Sequence, residues 1–137
     1  MITAVDTNVL LDVFGADPSF GPRSADALRK CLREGRLIAC EVVWAEVRAS
    51  FEDDGSFRAT VAPLGLQLVP TSEEAALLAG RLWRAWRRSG GSRRQRVMAD
   101  FLVGAHATLE ADAFLTRDRG FSRKWFPDLV VVDPSRG

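Results

Sequence analysis

Two cysteines, one histidine and no long apolar run deny several function classes their material in this 137-residue chain. Cys31 and Cys40 lie on either side of a short polar turn and form no CxxC pattern. With no secretion signal beside them, they are expected as free thiols in a reducing cytoplasm. His106 is the only histidine, so no imidazole cluster for zinc is available. The longest stretch free of Asp, Glu, Lys and Arg runs from Ala59 to Ser72 and is broken by Pro63, Gly65 and Pro70. It falls short of the roughly 18 apolar residues a membrane span requires, so no membrane association is expected. The first residues carry no basic segment, and Asp6, Asn8 and Asp12 interrupt their apolar run, which does not suit a signal peptide. There is no internal repeat, no low-complexity tract and no interdomain linker. A glycine-rich phosphate loop of the P-loop or Rossmann type is also missing, which argues against nucleotide-driven chemistry. Net charge is only +1 and 47% of residues are hydrophobic, a balance that excludes a disordered chain.

What is present suits one domain over residues 1–137, long enough to fold without disulfides or a structural metal. Short apolar runs alternate with segments of helical period. Strands are expected at Ile2–Val5, Leu37–Cys40, Leu66–Val69, Ala113–Thr116 and the wholly β-branched Val130–Val132. Helices are expected at Pro22–Glu34, ended by Gly35, at Val43–Phe51, and more weakly at Gly55–Pro63. Thr71-Ser72-Glu73-Glu74 has capping-box spacing, with Thr71 as N-cap of a helix reaching Arg88. A further helix is expected from about Arg94 to Glu110, with Met98, Phe101, Leu102, Ala105 and Leu109 as its apolar stripe. Such alternation predicts an α/β fold: a mostly parallel central sheet of about five strands flanked by helices on both faces. In sheets of this kind ligands sit at the carboxyl ends of the strands.

Acids gather at those ends. Asp6 directly follows the first strand, Glu46 lies in the helix after the second, and Asp118 sits two residues past the fourth. Asp100 lies off the apolar stripe of its helix, with Gly104 one turn on expected to leave space beside its carboxylate. Two unit charges about 5 Å apart cost roughly 3 kcal/mol at an effective dielectric near 20. Such a cluster therefore needs protons or a cation to neutralise it. Oxygen donors with no His or Cys nearby point to Mg²⁺ or Mn²⁺. A hard divalent ion suits phosphodiester chemistry, because it makes water more acidic and offsets charge on the phosphate. Taken singly, each acid also has an ordinary role as turn former, helix cap or surface charge.

Residues Met1-Ile-Thr-Ala-Val-Asp6-Thr7-Asn8-Val-Leu resemble the opening of PIN-domain ribonucleases, in which a strand ends in Asp-Thr-Asn. Val43-Val-Trp-Ala-Glu46-Val resembles that family's helix with the second acid. Ala99-Asp100-Phe-Leu-Val-Gly-Ala-His-Ala and Ala113-Phe-Leu-Thr116-Arg-Asp118-Arg-Gly-Phe121 resemble its C-terminal acids. The blocks come in the family's order and span nearly the whole chain. The resemblance implies a PIN-like three-layer sandwich and, in length and architecture, the VapC toxins of toxin–antitoxin pairs. It further implies an endoribonuclease using Mg²⁺ or Mn²⁺, with Asp6, Glu46, Asp100 and Asp118 as catalytic and metal-holding acids. Asn8 and Thr116 would orient carboxylates or water. An RNA substrate, a VapB-type antitoxin and a homodimer are the expected partners. Asp12 and Asp112 are read as structural acids. Two other readings compete. One is a catalytically idle PIN-like module that binds RNA or protein, against which the presence of all four acids weighs. The other is a phosphatase of the haloacid-dehalogenase type, which wants a second Asp where this chain has Asn8.

Charge is unevenly spread. Seventeen of the 19 basic residues are Arg, and seven of them fall between Arg81 and Arg96 with no acid among them. Arg93, Arg94 and Arg96, just before the Asp100 helix, are candidates to hold RNA phosphates. Arg81, Arg84 and Arg88 share one helix face that solvation alone explains. His106 and Trp44, Trp83 and Trp86 are read as packing residues, the tryptophans in the core or a dimer interface.

Overall fold

Thr3, Ala4 and Val5 are buried on both faces of the first strand, as a central strand of a parallel sheet demands. The computed structural model describes residues 1–91 and 96–136. In it, β1 (Ile2–Val5) pairs in parallel with β2 (Arg36–Ala39) on one side and with β4 (Ala113–Leu115) on the other. β3 (Gln67–Leu68) extends the β2 edge and β5 (Val130–Val132) the β4 edge. The order is β3-β2-β1-β4-β5, parallel throughout. The chain steps outward from β1 to β3, then crosses back to β4 on the other side of β1. Strand order thus reverses between β1 and β4, which opens a crevice beyond their carboxyl ends. Register sets what meets there: Val5 lies opposite Leu115, so Asp6 and Thr116 leave the sheet side by side.

Among the described residues, seven helices cover the two faces and complete the expected three-layer α/β arrangement. They are α1 (Thr7–Phe14), α2 (Gly21–Glu34), α3 (Glu41–Arg48), α4 (Asp54–Val61), α5 (Glu73–Arg88), α6 (Met98–Glu110) and α7 (Arg119–Trp125). None of them is long and apolar enough to cross a membrane. Phe101 of α6 centres an aromatic cluster, with edge contacts to Trp83 at 5.5 Å, Phe121 at 5.2 Å and Trp125 at 5.9 Å. Trp83 stacks on Trp86 at 5.7 Å, so both tryptophans of α5 join this core. Trp44 packs edge-on against Phe57 in a second cluster. Cys31 and Cys40 are buried free thiols, and burial pushes both up from the usual thiol range.

Several local expectations change. Ser72, not Thr71, caps α5: its hydroxyl accepts from the Ala75 amide, while the Thr71 amide donates to Glu41 across the turn. Within the described residues α6 begins at Met98, with Val97 extended before it and its amide taken by the Asp100 carboxylate, while the expected start near Arg94 lies outside the described residues. Met98 and Leu109 are exposed, whereas Val103, Ala105, His106 and Ala107 are all buried. The apolar stripe is therefore wider than an outer helix needs. Gly104 lines the cavity with Asp100, and a Cβ there would stand 2.2 Å from the Phe126 ring, so the glycine also lets Phe126 pack against α6.

Candidate active site

Asp6 ends β1 and starts α1 in the same stroke. Its Oδ1 accepts the Thr7 amide at 2.8 Å as the N-cap of that helix, which fixes the carboxylate at the sheet edge. Its Oδ2 accepts the Thr116 hydroxyl from the end of β4 at 2.7 Å and the Asn8 side-chain amide at 3.3 Å. Thr116 in turn accepts the Asp118 amide at 2.9 Å, so one hydroxyl positions two acids. Asn8 Oδ1 accepts the Arg117 amide and ties α1 to the segment after β4. Both residues expected to orient carboxylates therefore bear directly on this edge.

A cavity of about 300 Å³ opens over it, lined by Asp6, Glu46, Asp100 and Asp118 together. Glu46 reaches it from the exposed side of α3 and accepts the Thr7 hydroxyl at 2.9 Å. Asp100 enters from the first turn of α6, anchored on the Val97 amide at 2.9 Å. Burial raises the Asp6 carboxyl from its ordinary range to about 6; its hydrogen bonds to Thr116 and Thr7 oppose this, and Asp118 and Glu46 add to it. The fold thus places anionic groups together where the charged form is costly.

Arg96 supplies the local counter-charge. Its Nη1 and Nη2 donate to the two oxygens of Asp118, the second bond measuring 3.0 Å. Its guanidinium lies 4.1 Å above the centre of the Phe121 ring. Burial works against that charge, but the Asp118 pair outweighs it and holds the Arg96 proton more tightly than usual. Arg93 and Arg94 lie outside the described residues. Arg81, Arg84 and Arg88 sit on α5 and line no part of the cavity.

Thr7 and Phe121 stand within the sequence motifs but were assigned no role there, and both touch groups at this edge. Thr7 positions Glu46, and Phe121 carries Arg96. Only the hydroxyl directly after Asp6 offered a signal for the first. The second depends on a contact between segments 25 residues apart in sequence. Asp12 and Asp112 take structural parts. Asp12 is buried, accepts two bonds from the Arg117 guanidinium and one from Ser24, and Asp112 caps the start of β1 through the Ile2 amide. His106 is buried away from the cavity. Burial lowers its imidazole from the usual range, while a hydrogen bond to the Val69 backbone pulls the other way.

Among the described residues, no three acidic, histidine or cysteine side chains stand close enough together to hold one ion as they are. The donor chemistry nonetheless fits a hard divalent cation, because four carboxylates share one cavity without a soft ligand. An ion seated on Asp118 would share that carboxylate with Arg96 and so compete with its charge.

A PIN domain model matches residues 3–126. VapBC2 from Rickettsia felis, solved with a DNA fragment from its promoter, is similar at 17% identity and a TM-score of 0.71, covering 97% of this chain and 98% of the other. FitAcB from Neisseria gonorrhoeae is similar at 22% identity and a TM-score of 0.68, over 98% of each chain. VapBC-1 from nontypeable Haemophilus influenzae is similar at 16% identity and a TM-score of 0.71, over 98% and 99%. At these identities the likeness is one of fold. No curated protein sequence matches. The domain match spans most of the chain and agrees with the parallel sheet and its acidic edge, so this chain belongs to the PIN domain family.

Proposed function

We propose that the chain is a Mg²⁺- or Mn²⁺-dependent endoribonuclease and the toxin of a toxin–antitoxin pair. The observation that carries this reading is the meeting of Asp6, Glu46, Asp100 and Asp118 in one cavity at the strand-order reversal. These four carboxylates would hold the ion, which when bound offsets negative charge at the scissile phosphate. Asp6 and Asp118 are fixed to each other through Thr116, so their spacing does not depend on the substrate. Glu46, exposed at the cavity edge and steadied by Thr7, is placed to receive a proton from an attacking water. Arg96, paired with Asp118 of the cavity wall, would be free to hold a phosphate oxygen once off that carboxylate, with Arg93 and Arg94 proposed to assist. The water oxygen bonds to phosphorus, the bond to the 3′ oxygen breaks, and that oxygen leaves with a proton. Products then carry 5′-phosphate and 3′-hydroxyl ends.

Its structural neighbours from Rickettsia felis, Neisseria gonorrhoeae and Haemophilus influenzae are VapBC and FitAcB structures, which supports the toxin reading and a small VapB-type partner for this chain. A homodimer in the cytoplasm belongs to the same proposal. Induced expression in a bacterial host tests it. The unaltered chain should arrest growth and fragment RNA, Asp6→Asn should do neither, and co-expression of the small protein encoded beside it should restore growth. Equal arrest by Asp6→Asn would contradict the nuclease reading.

A further inference from the structure

A second concavity lies on the other side of α7 from the acidic cavity. It measures about 600 Å³ and is formed by α2, α7 and the turn at Pro134–Arg136 that comes after β5. Arg23, Lys30, Arg119, Arg123 and Arg136 line it. Only Asp26 and Asp133 oppose them, and both are already engaged: Asp26 pairs with Arg29, and Asp133 accepts the Ser135 amide and hydroxyl. Arg23 donates to the Ser135 carbonyl at 2.7 Å and so holds the C-terminal turn against α2, which gives the cleft a fixed wall. The other four cations make no ion pair among the described residues. Five cations against two acids leave an excess of positive charge in the cleft, which a bound anion would offset.

α7 links this cleft to the acidic site. Arg119 and Arg123 are four residues apart and share one helix face, while Phe121, on the opposite face, lines the acidic cavity and supports Arg96. Arg119 immediately follows Asp118 in the chain. We propose that this cleft binds the RNA backbone beyond the scissile phosphate, with Arg119, Arg123 and Lys30 holding phosphates of the flanking nucleotides. The inference rests on the ribonuclease reading and adds where the substrate runs. Three features favour a polynucleotide over an acidic peptide. Arg119 on the cleft wall immediately follows Asp118 of the cavity that would hold a phosphodiester. The cleft's cations come from α2, α7 and the C-terminal turn, a spread that suits several phosphates in succession along one backbone. Of the residues that line it, only Ala27, Val132 and Pro134 have apolar side chains, against five cations. An acidic catalytic edge also repels RNA by itself, so cations at a distance must supply the affinity.

The test is binding of a mixed-sequence single-stranded RNA of about 12 nucleotides to the full chain in chelator, so that no cleavage occurs, across a salt series. Arg119→Gln with Arg123→Gln should weaken binding about tenfold and flatten the log–log salt slope by roughly 0.7 for each phosphate no longer held. Arg81→Gln with Arg84→Gln, an equal charge change on the solvated face of α5, should leave both nearly unchanged. Matching thermal transitions establish that the variants fold. Equal losses in the two pairs, or no loss in the first, would overturn the cleft assignment, as would an oligoglutamate that binds it more tightly than RNA. A parent chain that cleaves RNA beside an Arg119/Arg123 variant that binds normally refutes the cleft alone. A parent that neither binds nor cleaves RNA refutes the ribonuclease reading and the cleft together.

Discussion

Arg96 grips both carboxylate oxygens of Asp118 while its guanidinium rests on the Phe121 ring. The positive charge at the acidic edge therefore comes from the chain itself. An incoming divalent ion has to compete with it for Asp118.

That competition is measurable. Arg96→Gln removes the rival and leaves Asp118 available, so Mn²⁺ should bind about fivefold more tightly by calorimetry, the equivalent of roughly 1 kcal/mol for a partly exposed ion pair. Without metal, the same variant should melt lower than the parent. Unchanged or weaker Mn²⁺ binding would mean that Asp118 takes no part in holding the ion.

Metal addition should raise the melting temperature of the parent, because an ion that binds only the folded chain stabilises it by mass action. Asp6→Asn together with Asp100→Asn removes two of the four donors from the cavity and should abolish the shift. A double variant that keeps the full metal-induced shift would place the ion elsewhere.

The Asp6 carboxyl sets a pH dependence. Burial raises it to about 6 in the folded chain, whereas in the unfolded chain it titrates in the ordinary range. The folded state holds this proton more tightly. Its stabilising contribution is therefore full below pH of about 4 and lost as pH rises through 6. Allowing for partial exposure, the loss is on the order of 2 kcal/mol. In metal-free melts from pH of about 4 to about 7, Asp6→Asn should gain on the parent as pH rises. Parallel curves would contradict the raised value. Added Mn²⁺ should stabilise the parent more at the neutral end of that range than at the acidic end, since proton and cation compete for one carboxylate.

Arg117 and Asp12 support the same edge from beneath. Asp12 is buried and receives two bonds from the Arg117 guanidinium, at 2.8 and 3.0 Å. Arg117→Ala strands that carboxylate with only the Ser24 hydroxyl, at a cost of about 3 kcal/mol. Urea unfolding should show the loss, and Asp12→Asn in the Arg117→Ala background should recover part of it. A loss below about 0.5 kcal/mol would contradict a stabilising Arg117–Asp12 pair.

β1, β2, β4 and β5 were legible because each holds a short apolar run bounded by polar residues, while the expected third strand shrinks to the exposed pair Gln67–Leu68 at the sheet edge. Asp6 and Asp118 were legible because each stands within two residues of a strand's carboxyl end, and Glu46 because its helix begins directly after β2. α1 was not. It starts at Thr7 without a break after β1, so Asp6 reads equally well as the end of a strand and the cap of a helix. α7 is seven residues long with Gly120 near its start, too short and too poor in periodicity to stand out. The swap of cap from Thr71 to Ser72 turned on Glu41, 30 residues away, taking the Thr71 amide. Arg96 was singled out as a phosphate ligand, but its grip on Asp118 spans 22 residues and depends on how α7 docks on Phe101. No local pattern encodes that pairing.

The most direct measurement is product-end mapping after the purified chain cuts a defined RNA with Mn²⁺. Parent protein should yield 5′-phosphate and 3′-hydroxyl ends. Asp118→Asn, which keeps the fold but weakens the carboxylate held by Arg96 and Thr116, should lower the rate at least about a hundredfold with the same ends. Fragments ending in 2′,3′-cyclic phosphate, or an Asp118→Asn variant as fast as the parent, would contradict hydrolysis by the four-carboxylate site.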